Sequence, residues 1–195
     1  MLPEGWEKDA PYLVKTLAAD FGKLWVVHRL DKGTSGVLVF ARTADLHRSL
    51  GIAFETRQVH KVYHAIVNGM PEWDDHLARH PLRVNVGHSH RTKVDPRFGK
   101  PCETSFRVLE RFKGFALLEA VPLTGRTHQV RVHAYALGFP LLGDTLYSAP
   151  PTDLISRPAL HACSLAFEIE GKPFSFCAPY PDDFEQALQK IRAGH

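Results

Sequence analysis

Two pairs of apolar-rich runs constrain this chain most: residues 104–112 with 115–121, parted by Lys113-Gly114, and residues 161–169 with 173–178, parted around Glu170-Gly171. So short a connection leaves no room for the crossover that parallel strands need, and each pair closes as an antiparallel hairpin. Residues 59–67, VHKVYHAIV, alternate as a further strand, with Lys61, Tyr63 and Ala65 on one face and Val62, His64 and Ile66 on the other. Two short β-rich runs, 24–28 and 36–41, flank the polar turn RLDKGTS.

Three helices are expected between and after these strands. Thr43 caps ADLHRSLGIAFE, where Leu46, Leu50 and Phe54 recur at i, i+4 and i+8 as a buried face. A second helix runs from about Thr127 to Leu137 and stops at Gly138, and a third opens with Asp182 and Glu185 as a capping box and buries Phe184, Leu188 and Ile191. Strands outnumber helices and most are hairpin-linked. The fold class is therefore α+β, a mixed, mostly antiparallel β-sheet core with a few flanking helices, rather than a doubly wound sheet. With 44% of 195 residues apolar, the chain can bury one substantial core, and residues 1–195 are read as a single domain.

Charge narrows the class of partner. Residues 61–133 carry 12 Lys and Arg against 7 Asp and Glu, whereas residues 134–195 carry 4 against 7, so a polyanion would bind the middle third. The three cysteines, Cys102, Cys163 and Cys177, lack metal-ligand spacing and read as buried packing residues. His88-x-His90 and His161-x-Cys163 lack the further ligands of a zinc site, so no metal is expected. No apolar run nears the ~18 residues of a membrane span and no secretory signal pattern opens the chain; a cytoplasmic protein is expected.

The chemistry concentrates in HRLDKGTSG, His28 to Gly36, where one acid stands among cations on a glycine-containing loop. Such a carboxylate is a candidate nucleophile or base, although a turn in which Asp31 bonds its own backbone accounts for most loop aspartates. HRLDKGTSGVLVFAR resembles the signature segment of the RluA-type pseudouridine synthases. Three further stretches resemble that family in the same order: KVYHAIVNG at 61–69, LTGRTHQVRVHAYALGFPLLGDTLY at 123–147, and LHACSLAF at 160–167 with FCAPYPDDF at 176–184.

The resemblance implies the pseudouridine synthase catalytic fold and an isomerase that converts specific uridines to pseudouridine in structured rRNA or tRNA. Asp31 would be the catalytic aspartate, Tyr63 would pack against the target base, and Arg131 would pair with the aspartate. The conversion exchanges an N1–C1′ bond for a C5–C1′ bond, so no cofactor is expected. The target base must leave its stack, at a cost of a few kcal/mol. Arg29, Lys61, Arg126, His128, Arg91 and Lys93 are the candidate RNA contacts, Arg126 and His128 lying near a helix start that favours anions. The run 79–100, short of acids, is the expected RNA-tracking surface.

Action as a monomer is the simpler expectation. The family's usual segment before the loop, with an early strand and a K-P-x-G turn, and its accessory RNA-binding domain are not seen in residues 1–23. Target recognition would then rest on the catalytic domain. Two other readings remain at this point: a non-catalytic RNA-binding or ribosome-assembly protein of the same fold, and a metal-dependent hydrolase using some of the 12 histidines.

Overall fold

The computed structural model describes residues 13–87 and 91–194; the His88-x-His90 pair therefore lies outside the described residues. Helix α1 (Leu13–Phe21) precedes three two-residue strands, β1 (Trp25–Val26), β2 (Ser35–Gly36) and β3 (Phe40–Ala41), then α2 (Ala44–Glu55) and the long β4 (His60–Asn68). Strands β5 (Asp75–Ala78), β6 (Leu82–Val86) and β7 (Arg91–Val94) lead to the hairpin β8 (Thr104–Phe112) and β9 (Phe115–Pro122). Helix α3 (Gln129–Ala136), a short 3-10 turn at Thr145–Tyr147, the hairpin β10 (Leu160–Ile169) and β11 (Lys172–Cys177), and α4 (Asp182–Arg192) complete the order.

Six strands form one sheet in the order β11-β10-β4-β9-β8-β5, every neighbour antiparallel, and β2 joins β10 in parallel. The α+β class with a mostly antiparallel sheet is thus observed. Alternation along the central strands buries both faces. On one face Ala65, Val67, Leu118 and Ala120 pack against Val130 and Ala134 of α3; on the other, Ile66 and Leu117 pack against Phe184, Leu188 and Ile191 of α4. Tyr63 borders the α3 side, as its shared face with Ala65 requires.

Several local expectations are corrected. The runs 24–28 and 36–41 yield only two-residue pairings, because their amides are spent elsewhere: Val37 N–H donates to the Ala162 carbonyl and Val39 N–H to His28 Nε2. Thr43 does cap α2, its hydroxyl accepting from Leu46 N–H at 3.2 Å. However, Leu46 is 39% exposed, and the buried stripe is Leu50 with Ala53, an i+3 step. The capping box of α4 does not form: Pro181 is the cap residue, and the Asp183 carboxylate instead accepts from Phe184 N–H at 2.8 Å. Of the cysteines only Cys102 is buried; Cys163 is half-buried and Cys177 lies exposed on β11, at one end of the sheet order.

Because the Thr43 bond satisfies one of the orphan amides of α2, Thr43→Ala is expected to lower stability by about 1 kcal/mol. Urea unfolding at fixed pH measures it; an unchanged midpoint would mean that water replaces the hydroxyl at no cost.

Candidate active site

The loop carrying Asp31 is fixed by the register of β2 on β10. Ser35 pairs with His161 and Gly36 with Ala162, while Ala162 also pairs with Tyr63 of β4. Gly36 has φ +114, and a Cβ there would overlap the backbone of Ala162, so only glycine permits this approach. Ser35 Oγ lies 2.9 Å from His161 Nδ1. Between these anchors, Thr34 N–H donates to the Asp31 carbonyl at 2.9 Å, closing a four-residue turn that presents the Asp31 side chain.

Helix α3 brings Arg131 to Asp31, and the structure corrects how they meet. The two-pronged partner of Arg131 is Asp144: Nε donates to Oδ2 at 2.6 Å and Nη2 to Oδ1 at 2.7 Å. Arg131 Nη1 then faces Asp31 Oδ2 at 3.9 Å, beyond hydrogen-bond range but within ion-pair range. The side chains of Asp144, Arg131 and Asp31 are 1%, 6% and 17% exposed, a gradient from core to cleft. Burial opposes the Arg131 charge, but the Asp144 hydrogen bonds and the Asp144 and Asp31 carboxylates outweigh it and raise its pKa. Asp144 lay within the quoted LLGDTLY stretch without being singled out; the signal was that a buried arginine needs a dedicated acid.

Tyr147 supports the same guanidinium, which lies 5.0 Å over its ring, with Arg91 at 5.2 Å. The Tyr147 hydroxyl accepts from Thr92 N–H at 3.1 Å and lies 2.8 Å from His128 Nδ1. Burial lowers the pKa of His128, against the opposing pull of the Asp31 carboxylate. His128 precedes α3 in a left-handed conformation, φ 56, and makes no side-chain cap.

The loop before α3 is organised by buried Gln129. Its Oε1 accepts from Thr124 Oγ1 at 2.7 Å and from Arg126 N–H at 3.0 Å, and its Nε2 donates to the Glu103 carbonyl at 2.8 Å. This loop and the Asp31 loop wall a recess of about 70 Å³ lined by Leu30, Asp31, Lys61, Tyr63 and Arg126 among others. Asp31 is the one acid among the described residues lining it. The recess shares Asp31, Lys61 and Arg126 with a cleft of about 730 Å³ that extends past Arg29 to Arg57 and Gln58 at the end of α2. Arg126 Nε is buried without a hydrogen-bond partner. Burial lowers the Lys61 pKa, and Nζ lies 3.5 Å from the Thr124 carbonyl. Tyr63 is pushed up to about 12, by burial first and by the Asp31 charge second.

Six of the nine residues singled out from the sequence thus meet at the cleft or its recess: Arg29, Asp31, Lys61, Tyr63, Arg126 and, behind Asp31, Arg131. His128 is held against Tyr147. Within the run 79–100, three of the six Lys and Arg side chains have acid partners among the described residues. Arg79 pairs with Glu103 at 3.2 Å, Arg83 and Lys93 with Asp95 at 3.6 and 3.8 Å, and Arg91 stacks on Tyr147. His161 spends Nδ1 on Ser35 and lies 3.1 Å from the Ala178 carbonyl through Nε2, and no group of three metal-ligand side chains occurs among the described residues.

Two histidines are held neutral, with a measurable consequence. Burial, with Lys61 adding to it, lowers His28 to about 4, and burial lowers His133 to about 4 although His133 lies 3.0 Å from the His80 carbonyl. Since the unfolded imidazole titrates near 6.5, the unfolded state protonates first as pH falls. The stability these residues provide is complete above about pH 6.5 and is lost between there and about 4. The expected slope is up to about 1.4 kcal/mol per pH unit for each imidazole. Denaturant midpoints across that window check this, and His28→Asn should flatten part of the slope.

Comparison with known proteins gives one consistent result. The family model described as RNA pseudouridylate synthase matches residues 11–136. An uncharacterized RNA pseudouridine synthase of Zymomonas mobilis is 42% identical over 83% of this chain and 76% of its own length. One of Chlorobaculum parvum is 40% identical over 95% of this chain and 62% of its own. The ribosomal large subunit pseudouridine synthase C of Vibrio cholerae is 38% identical over 87% and 56%. The chain thus spans between about half and three quarters of these relatives. Among solved structures, human RNA pseudouridylate synthase domain containing 1 superposes with a TM-score of 0.78 at 30% identity, covering 92% of this chain and 84% of that one.

Proposed function

Because the chain belongs to the RNA pseudouridylate synthase family, we propose that it isomerises specific uridines to pseudouridine in structured rRNA or tRNA, with Asp31 as the catalytic carboxylate. The observation that carries this reading is the placement of Asp31 as the recess's acid, 3.9 Å from a guanidinium that Asp144 already holds rigid. A relative named for the ribosomal large subunit favours rRNA as the substrate class.

In this reading the uridine leaves its helix and enters the recess, and phosphates follow the cleft past Arg29, Lys61 and Arg126. The N1–C1′ electron pair departs with the base, the base turns, C5 bonds to C1′, and the C5 proton is released while N1 gains one. The balance needs neither water nor a redox partner. A base must take the C5 proton, and Asp31 is the acceptor in place. Tyr63, with a pKa near 12, keeps its proton and acts as a stacking surface and donor. Arg29, Lys61 and Arg126, which line the cleft, carry donors suited to phosphate oxygens. Residues 1–195 act as one catalytic unit, as a monomer, on this reading.

The test is tritium release from 5-labelled uridine in rRNA and tRNA transcripts by the purified protein. Release from either supports the assignment. Binding without release, on rRNA and tRNA alike, would favour a non-catalytic RNA-binding protein of the same fold.

A further inference from the structure

We propose that Arg157, clamped by Asp183, is a positioning residue that sets the separation between the Asp31 loop and the Asp144 turn; the catalytic part of the claim rests on the function proposed above. Neither residue touches the recess. Arg157 Nη1 donates to the Gly33 carbonyl at 2.7 Å, inside the four-residue turn that Thr34 N–H closes onto Asp31. The rest of its fork is fully used: Nε and Nη2 donate to the two Asp183 oxygens at 2.7 and 2.8 Å. The Arg157 backbone abuts Gly143, whose φ of +74 and whose missing Cβ, which would overlap the Arg157 carbonyl, leave room for that approach. Gly143 immediately precedes Asp144, the two-pronged partner of Arg131.

One residue therefore braces both carboxylates that share Arg131. Its side chain holds the loop of Asp31 and its backbone packs against the glycine that opens the turn of Asp144. Asp183 supplies the fixed end, because it sits in the first turn of α4, whose Phe184, Leu188 and Ile191 are anchored in the core. The Arg157 hydrogen bonds are the first cause of the lowered Asp183 pKa, in keeping with a persistent pair. A bidentate fork over a carbonyl and a carboxylate cannot be replaced by the single ammonium of lysine. Releasing it should displace Asp31 relative to Arg131, and displacements of about 1 Å at reacting groups cost on the order of 100-fold in rate.

The same helix provides a control. Arg192 pairs with Glu110 of β8 and ties the far end of α4 to the sheet without reaching the Asp31 loop. Arg157→Gln, Arg157→Lys, Asp183→Asn and Arg192→Gln are compared by turnover on one RNA transcript, by thermal unfolding, and by amide exchange of Thr34. Arg157→Gln and Asp183→Asn are expected to lower kcat about 100-fold with KM for RNA within about threefold. Thr34 exchange should accelerate at least about tenfold in both. Arg157→Lys should fall between, and Arg192→Gln should change stability but keep kcat and Thr34 protection.

The proposal is overturned if folded Arg157→Gln and Asp183→Asn keep kcat within about twofold of the parent, or if Thr34 protection is unchanged in both. Should Arg157→Gln fail to fold, Asp183→Asn alone decides, since it frees the clamp while leaving the arginine in place. A parent protein that forms no pseudouridine would sink the proposed function, whereas Thr34 exchange would still judge the brace.

Discussion

On the proposed function, Asp31→Asn is expected to reduce pseudouridine formation by at least about 1000-fold while RNA affinity stays within about threefold of the parent, because the substitution removes the carboxylate proposed to react and almost no volume. The amide keeps the Thr34 turn, which uses only the Asp31 backbone carbonyl. Its stability cost should be small, since Arg131 retains both bonds to Asp144. Tritium release, filter binding and urea unfolding on one preparation separate these effects. Residual turnover above about one tenth of the parent rate would remove Asp31 from the chemistry; a matching loss of RNA binding would make it a contact residue instead.

Asp144→Ala should be the more damaging change to the fold, at about 3–5 kcal/mol. Arginine does not shed its proton, so the guanidinium would remain charged, 6% exposed, and stripped of both strong bonds. The remaining acid nearby is Asp31, and the freed fork would swing toward it, closing two hydrogen bonds on the oxygens that the proposed reaction requires. Activity should therefore fall further than stability accounts for. Arg131→Met in the same chain removes the orphaned charge and should recover much of the unfolding free energy without recovering turnover. If Asp144→Ala unfolds within about 1 kcal/mol of the parent, the buried pair is not the structural centre described here.

What could be read from residues alone follows a physical line. The hairpins at Lys113-Gly114 and Glu170-Gly171 were legible because a tight turn is specified by its own few residues. The stripe Phe184, Leu188 and Ile191 was legible because period and burial agree over a whole helix. Residues 24–41 were not: their amides bond to His28 and Ala162, partners that no local pattern names. Leu46 failed because tertiary neighbours decide which helix face is covered, and the α4 capping box because the Glu185 amide that Asp182 would have capped donates to the Pro181 carbonyl. At the site, Asp31, Tyr63 and Arg131 were legible through the family resemblance. The owner of the Arg131 fork was not, because Asp144 reaches it through a turn after the helix. Arg157 was invisible for the same reason, joining Gly33 from 124 positions away.

The parallel seam between Ser35-Gly36 and His161-Ala162 also imposes an order in time. During synthesis residues 35–36 emerge from the ribosome long before the strand they must lean on, and contacts so distant along the chain are the slowest to form. The nascent Asp31 turn lacks Arg131, then Asp144, then the Arg157 brace, each arriving later than the last. The surroundings of Asp31 are thus complete only once residues 157–183 have been made and have folded back on residues 31–36.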